Sequence, residues 1–296
     1  MDEWLSGMYK RRNQQTIAAS CAVEGFGYWS GRDVRVEFRP ADADTGLVFV
    51  REDLPGKPRI PAAIGSRIPA QRRTNLRQGN AEVEMVEHVL AALAGLQIDN
   101  CEIGVDQAEM PGCDGSCLSF VQALDSVGRV QQVSLRSAHS VANVIRHSEG
   151  VAWIEAIPCC SCKTVLQYEL DYGPGPIGHQ CLQVTLTPSV FRRELAPCRT
   201  FALWREAQTL QQRGLARRVT ARDLLVFDEQ GPIDNTLRFA DECVRHKLMD
   251  MVGDLALAGC DVLGRISASR SGHQLNAELV QSLLADNGTE RHKRCA

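Results

Sequence analysis

The chain is predicted to be an α+β protein, and three observations point there. Residues 15–50 alternate apolar and polar side chains between turn signals at Gly25-Phe-Gly27, Ser30-Gly-Arg-Asp33 and Asp42-Ala-Asp-Thr-Gly46, which is the period of half-buried strands. Residues 237–259 have a helical period instead, with Cys243, Leu248, Met251, Val252 and Leu255 as the apolar stripe and Gly259 as the stop. A run of strands followed by helices occurs twice, which argues for two α+β layers rather than one parallel sheet.

In order, residues 34–38 and 46–50 predict strands. Residues 51–80, rich in Pro, Gly, Arg and Gln, predict a loop with short strands. Residues 86–95 predict a helix capped by Gly95, and 100–105 a strand. Met110-Pro-Gly-Cys-Asp-Gly-Ser116 is a turn, with Ser116 placed to cap a helix over 118–128. Strands follow at 153–157, 164–170 and 183–187, interrupted by Gly173-Pro-Gly-Pro-Ile-Gly178. Then come a helix over 204–214, a strand over 224–227, the long helix, a strand over 262–268 and a last helix over 274–285. The expected organisation is an N-terminal extension (1–14), a first domain (15–131), a second domain (132–286) with an insert at about 201–235, and a flexible tail (287–296).

A chain of 296 residues, 44% apolar, can bury two cores. A formal charge of −3 gives no reason to expect a nucleic-acid or membrane-surface partner. The start lacks a basic region followed by an apolar core, so no signal peptide is expected, and no apolar run reaches the length of a membrane span. The twelve cysteines include no paired C-x2-C units. Cys159-Cys160-Ser161-Cys162 could gather thiolates on a metal, but ordinary small residues in a reduced cytoplasmic protein are the stronger reading.

Within the long helix, His246 and Asp250 are four apart and project from one face. An imidazole and a carboxylate held so can take two corners of a zinc tetrahedron. An isolated H-x3-D is more often a solvated helix face, so the rest of the chain has to decide. It does so through five motifs in order: Val86-Glu-His-Val-Leu-Ala-Ala-Leu-Ala-Gly-Leu-Gln-Ile-Asp-Asn100, Met110-Pro-x-x-Asp-Gly-Ser116, Arg199-Thr-Phe201, Val244-Arg-His-Lys-x-x-Asp-x-x-Gly-Asp254 and Ser271-Gly-His273. Together they resemble the UDP-3-O-acyl-N-acetylglucosamine deacetylases of lipid A biosynthesis, from about Gln15 to Ala285.

The resemblance implies two similar two-layer α/β-sandwich domains whose sheets face each other across the active site. It implies a cytoplasmic, monomeric, metal-dependent hydrolase that removes the N-acetyl group of a UDP-acyl-amino-sugar and releases acetate, without stable membrane insertion. Residue by residue, His88, His246 and Asp250 match the ligands of a Zn2+ ion, with Fe2+ as the other candidate. Glu87 matches the general base, and His273 a protonated imidazole that stabilises the oxyanion and protonates the leaving amine. Asp254 matches the carboxylate orienting that imidazole, Thr200 the hydroxyl at the oxyanion, Phe201 a ring on the sugar, and Lys247 a cation near the diphosphate. A His2Asp set leaves a fourth position for water, as catalytic zinc sites do. The remaining histidines, His139, His147, His179 and His292, match no motif and are expected at the surface.

The chain departs from the family pattern in four places. Gly27-Tyr-Trp-Ser-Gly31 replaces Gly-Leu-His-Thr-Gly, so Trp29 stands where a histidine is usual. Arg217-Arg218 replace small residues in the insert and are expected to narrow or recharge the mouth of the acyl passage. Gly173-Pro-Gly-Pro lacks a His-Pro, and no lysine lies around Ala142. These departures concern substrate grip and leave the ligand set intact. They keep open a deacetylase of another nucleotide sugar or acyl-glucosamine; a non-catalytic binding paralogue fits less well, because all three ligands are retained.

Overall fold

Two sheets with the same strand order frame the molecule. The computed structural model describes residues 11–159 and 163–286. One sheet runs, edge to edge, through Cys21–Phe26, Asp33–Pro40, Cys101–Val105, Leu47–Arg51 and Arg59–Pro61; the other through Ile145–Glu149, Ala152–Ile157, Asp261–Ser269, Thr164–Asp171 and His179–Thr185. In both, two antiparallel hairpins flank the strand that comes last in sequence. That central strand pairs antiparallel on one side and parallel on the other. A parallel pair needs a crossover long enough to hold a helix, and in each sheet a helix precedes the central strand.

The helices are α1 (Glu87–Gly95), α2 (Leu118–Val127), the single turn α3 (Pro188–Val190) running into a π-helical turn, α4 (Trp204–Gln212), α5 (Glu242–Leu255) and α6 (His273–Ala285). Those preceding the two central strands, α1 and α5, cross in direct contact. A Cβ built on Gly253 would lie 2.1 Å from the carbonyl oxygen of Glu87, so glycine is required there. On its other side α5 packs against Thr164–Asp171 and His179–Thr185, while α6 packs against Ile145–Glu149 and Ala152–Ile157. The helix layers therefore meet in the middle with the sheets outside, which corrects the expectation that the sheets face each other. Burial follows: every residue of α1 except Ala94 is buried, and every residue of α5 except Arg245 and Lys247. The His246–Asp250 face of α5 is thus interior, not solvated.

Some local expectations also change. Helix α5 starts at Glu242 rather than 237, because Glu242 accepts the Arg238 N–H and is held by Arg199. Gly259, in the left-handed region, ends the helical segment as expected. Gly95 does not cap α1. It lies within the helix and leaves room for the Phe191 ring, 2.3 Å from where a Cβ would be, and the left-handed residue after α1 is Gln97. Ser116 accepts the first N–H of α2, Leu118, at 3.2 Å. Residues 51–80 contain two strands of a small three-stranded sheet, Arg67–Ile68 and Asn75–Gln78, which Ala81–Val83 completes. In the 201–235 region, parallel strands Phe201–Leu203 and Leu225–Phe227 bracket α4.

The α1–α5 contact yields a stability test. Gly253→Ala should destabilise the protein by roughly 1–3 kcal/mol or more, since the intruding methyl meets backbone rather than a mobile side chain. Gly65→Ala, at a glycine whose Cβ would meet open space, should leave the melting temperature nearly unchanged.

Candidate metal centre and active site

His88 lies in the first turn of α1, and His246 and Asp250 lie one turn apart on α5, so the crossing of these helices brings the three together. His88 Nε2 is 3.5 Å and His246 Nε2 3.4 Å from the same oxygen, Asp250 Oδ1, and one ligand atom from each residue lies within 4.8 Å of the others. Bonds of about 2.05 Å to a tetrahedral zinc would place neighbouring ligand atoms about 3.3–3.4 Å apart. The two imidazoles meet edge-on at 5.3 Å. Among the described residues no other group of His, Cys, Asp and Glu comes together in this way.

The donor chemistry also demands a cation. His246 Nδ1 is 3.2 Å from the carbonyl oxygen of Cys198. A carbonyl only accepts, so Nδ1 carries the proton and Nε2 presents a lone pair. Burial lowers the His246 pKa to about 4, which keeps the ring neutral. Burial works against the Asp250 charge, but the Lys247 ammonium on its other oxygen favours it, and the carboxyl is held well below its usual range. Asp250 Oδ1 is nonetheless buried with no hydrogen-bond donor among the described residues. A bare nitrogen facing a bare carboxylate oxygen is unfavourable in a buried site unless a positive ion lies between them.

Glu87, beside His88, is buried, and burial raises its pKa. His273 begins α6 and is placed by the Ser271-Gly272 turn, whose Ser271 carbonyl accepts the Tyr168 hydroxyl. Its Nδ1 donates to Asp254 Oδ2 at 2.8 Å. Burial would lower the His273 pKa, but Asp254 outweighs it and raises the value to about 9. Asp254, one turn beyond Asp250, also accepts the Asn276 amide on Oδ2 and the Thr74 hydroxyl on Oδ1.

Thr200 and Phe201 leave the segment that supplies the Cys198 carbonyl, and the Phe201 ring centre is 6.1 Å from that of His246. The Thr200 hydroxyl and N–H both donate to the Gly115 carbonyl, at 3.0 and 2.7 Å. Gly115 has φ +83, and a Cβ there would crowd Asp223 and Thr200, which explains the glycine of Asp-Gly-Ser. Lys247 donates to Asp250 Oδ2 at 2.8 Å, so its charge sits on the carboxylate of the cluster. Burial opposes that charge, and Asp250 more than compensates, raising the Lys247 pKa.

All nine residues singled out in the sequence thus have a defined place around the α1–α5 crossing. Other participants were not singled out. Thr74 joins Glu87 to Asp254 through its N–H and hydroxyl, Asn276 holds Asp254, and the buried Arg199–Glu242 pair, at 2.8 Å, braces the segment before Thr200. Arg199 opens the quoted Arg199-Thr-Phe201 motif and Asn276 sits just after Ser271-Gly-His273, so both could have been tried, whereas Thr74 lies in an arginine-rich loop with no local signal. Arg218 does not face the site: it pairs with Asp33 at 2.5 Å and covers the Phe26 ring, docking the insert onto the first sheet's hairpin. Arg217 lies against Gly214. Of the spare histidines, His179 is exposed and His147 half-buried, but His139 is buried in a short strand beside Val262, contrary to expectation. His292 and residues 160–162 of the cysteine cluster lie outside the described residues.

A cation-demanding His2Asp cluster, flanked by a buried carboxylate and an imidazole charged by its own aspartate, is the equipment of a metal-dependent hydrolase. Residues 14–285 match the family model described as UDP-3-O-acyl N-acetylglycosamine deacetylase, and the chain belongs to that family. Its relatives include proteins named UDP-3-O-acyl-N-acetylglucosamine deacetylase. The one from Anaeromyxobacter sp. is 38% identical, covering 94% of this chain and 91% of the relative. Those from Trichormus variabilis and Psychrobacter arcticus are 38% and 36% identical, over 92% and 93% of this chain and 98% and 86% of theirs.

The purified protein should hold about one tightly bound divalent ion per chain, as one His2Asp site requires. Elemental analysis should find that ion lost on replacing His88, His246 or Asp250 by alanine. Full occupancy in the triple variant would move the site elsewhere, with the cysteines at 159–162 the first place to look.

Proposed function

We propose that this chain removes the N-acetyl group of UDP-3-O-acyl-N-acetylglucosamine in lipid A biosynthesis, releasing acetate and the free amine, with zinc held by His88, His246 and Asp250. The observation that carries this reading is the convergence of three metal-ligand atoms, a buried carboxylate and a charged imidazole in a chain of this family. The two separations to Asp250 Oδ1, 3.5 and 3.4 Å, match a tetrahedral zinc, and ferrous iron suits the same N, N, O donors.

A divalent ion in that position would polarise the acetyl carbonyl and bring the pKa of a bound water to about 7. Glu87 takes a proton from the attacking water, and burial, by raising its pKa, makes it a stronger base for that step. His273, charged through Asp254, stabilises the oxyanion and protonates the amine as the C–N bond breaks. The Thr200 hydroxyl can turn from the Gly115 carbonyl to the oxyanion, because the Thr200 N–H still satisfies that carbonyl. Phe201 offers its ring to the sugar and Lys247 its charge toward the diphosphate. We also take residues 15–131 and 132–286 as the two domains, on the strength of their shared strand order. Action in the cytoplasm fits a nucleotide-sugar substrate, and we take the chain to act as a monomer. Among the described residues no helix is long and apolar enough to cross a membrane.

Metal-quantified protein should release acetate from this substrate, and its pH profile should be bell-shaped. Glu87 works deprotonated, so activity falls on the acid side as it is protonated. His273 works protonated, so activity falls as pH rises through about 9. Asp254→Asn removes the charge that sustains the imidazolium and should move the basic limb to lower pH. Glu87→Ala should keep its metal while kcat drops roughly 10²–10⁴-fold. No acetate from this substrate, with release from another acetylated amino sugar, would reassign the substrate; intact limbs in His273→Ala would remove His273 as the acid.

A further inference from the structure

We propose that Thr74 is a positioning residue that locks the general base and the imidazole's carboxylate into one arrangement, and that Trp29 steadies the loop that carries it. The inference rests on the roles given above to Glu87, Asp254 and His273.

Thr74 is fully buried between α1 and α5. Its N–H donates to Glu87 Oε2 at 2.9 Å, and its hydroxyl donates to Asp254 Oδ1 at 2.6 Å. A carboxylate can only accept, so the hydroxyl proton is committed to Asp254. The other oxygen of Asp254 takes His273 Nδ1 and Asn276 Nδ2, each at 2.8 Å. Both oxygens of Asp254 are therefore claimed, from opposite sides, and its plane cannot turn without breaking a buried charge-assisted bond. Glu87 is fixed from the same residue. One short stretch of backbone thereby ties together a base on α1 and, through α5, an acid on α6. Buried hydrogen bonds to charged groups are among the strongest such links available.

The loop before Thr74 is anchored on both sides. Arg72 is in the left-handed region, at φ +59, and pairs with Glu206 of α4 at 2.6 Å. Arg73 pairs with Glu84 at 3.1 Å, and its guanidinium lies over the Trp29 ring, 4.8 Å from the ring centre. Trp29 is itself fixed by the buried Glu109, whose carboxylate accepts the N–H groups of Trp29 and Ser30 at 2.7 and 2.8 Å. A line of contacts thus runs from Glu109 through Trp29 and Arg73 to Thr74. The tryptophan in the Gly27-Tyr-Trp-Ser-Gly31 loop acts here as a platform for the arginine next to Thr74.

The test compares Thr74→Val, which keeps shape and N–H but removes the hydroxyl, with Thr74→Ser, which keeps the hydroxyl. Both are assayed as metal-quantified full-length protein on UDP-3-O-acyl-N-acetylglucosamine, with melting temperatures recorded. Thr74→Val should lose roughly 10- to 100-fold in kcat with KM and metal content little changed, and Thr74→Ser should recover most of it. Thr74→Val combined with Asp254→Asn should be little worse than Asp254→Asn alone, because the two act through one bond. Trp29→Ala should lower kcat in the same direction by a smaller factor, and Trp29→Phe should restore it. Wild-type kcat in Thr74→Val, additive effects in the double variant, or equal impairment of the Val and Ser variants would overturn the proposal, the last by reducing Thr74 to packing. If the unaltered protein fails to release acetate, the functional reading falls and this role with it; if it succeeds and Thr74→Val is unimpaired, only this role falls.

Discussion

The structure depends on the close crossing of α1 and α5 at Gly253. With no side chain there, the α5 backbone lies against the carbonyl of Glu87, and His88 comes within 3.5 Å of Asp250 and about a ring's width from His246. The crossing also explains why polar groups gather in what is otherwise a core of Leu, Val and Met. Buried ligands cost desolvation free energy, and a metal with its counter-charges is the arrangement that offsets it.

The two sheets repeat one strand order, and their helices correspond: α1 precedes one central strand and α5 the other. The site nevertheless breaks the repetition. Helix α1 contributes Glu87 and His88 side by side, whereas α5 contributes His246, Asp250 and Asp254 at i, i+4 and i+8. One-turn spacing on a straight helix lines His246, Asp250 and Asp254 along one face, so the candidate metal site and the imidazole of His273 are served in succession by neighbouring turns. A scaffold of packed helices suits a reaction in which an acid and a base must be held a fixed distance apart.

Much of this was legible in the sequence, and the rest was not, for specific physical reasons. The ligands, Glu87 and His273 sit in short motifs whose spacing maps onto helices, so their convergence could be anticipated. Thr74 could not, because its partners are the Glu87 carboxylate, reached through the Thr74 N–H, and a carboxylate 180 residues away. Gly95 carried a capping signal but serves the close approach of Phe191, since glycine answers both needs. The α5 stripe pattern suggested one solvated face. In fact the polar face is buried against α1, and periodicity alone cannot tell a polar face meeting water from one meeting a metal site. Arg217 and Arg218 suggested a charged channel mouth, but a nearby acid and an aromatic ring took Arg218 instead.

The claim on which the account turns is that a cation bridges His88, His246 and Asp250. X-ray absorption at the metal edge of the purified protein tests it directly. The account predicts a first shell of two imidazole nitrogens and oxygens at about 2.0–2.2 Å with no sulfur. A sulfur shell near about 2.3 Å, or a shell unchanged when Asp250 and both histidines are replaced, would contradict it.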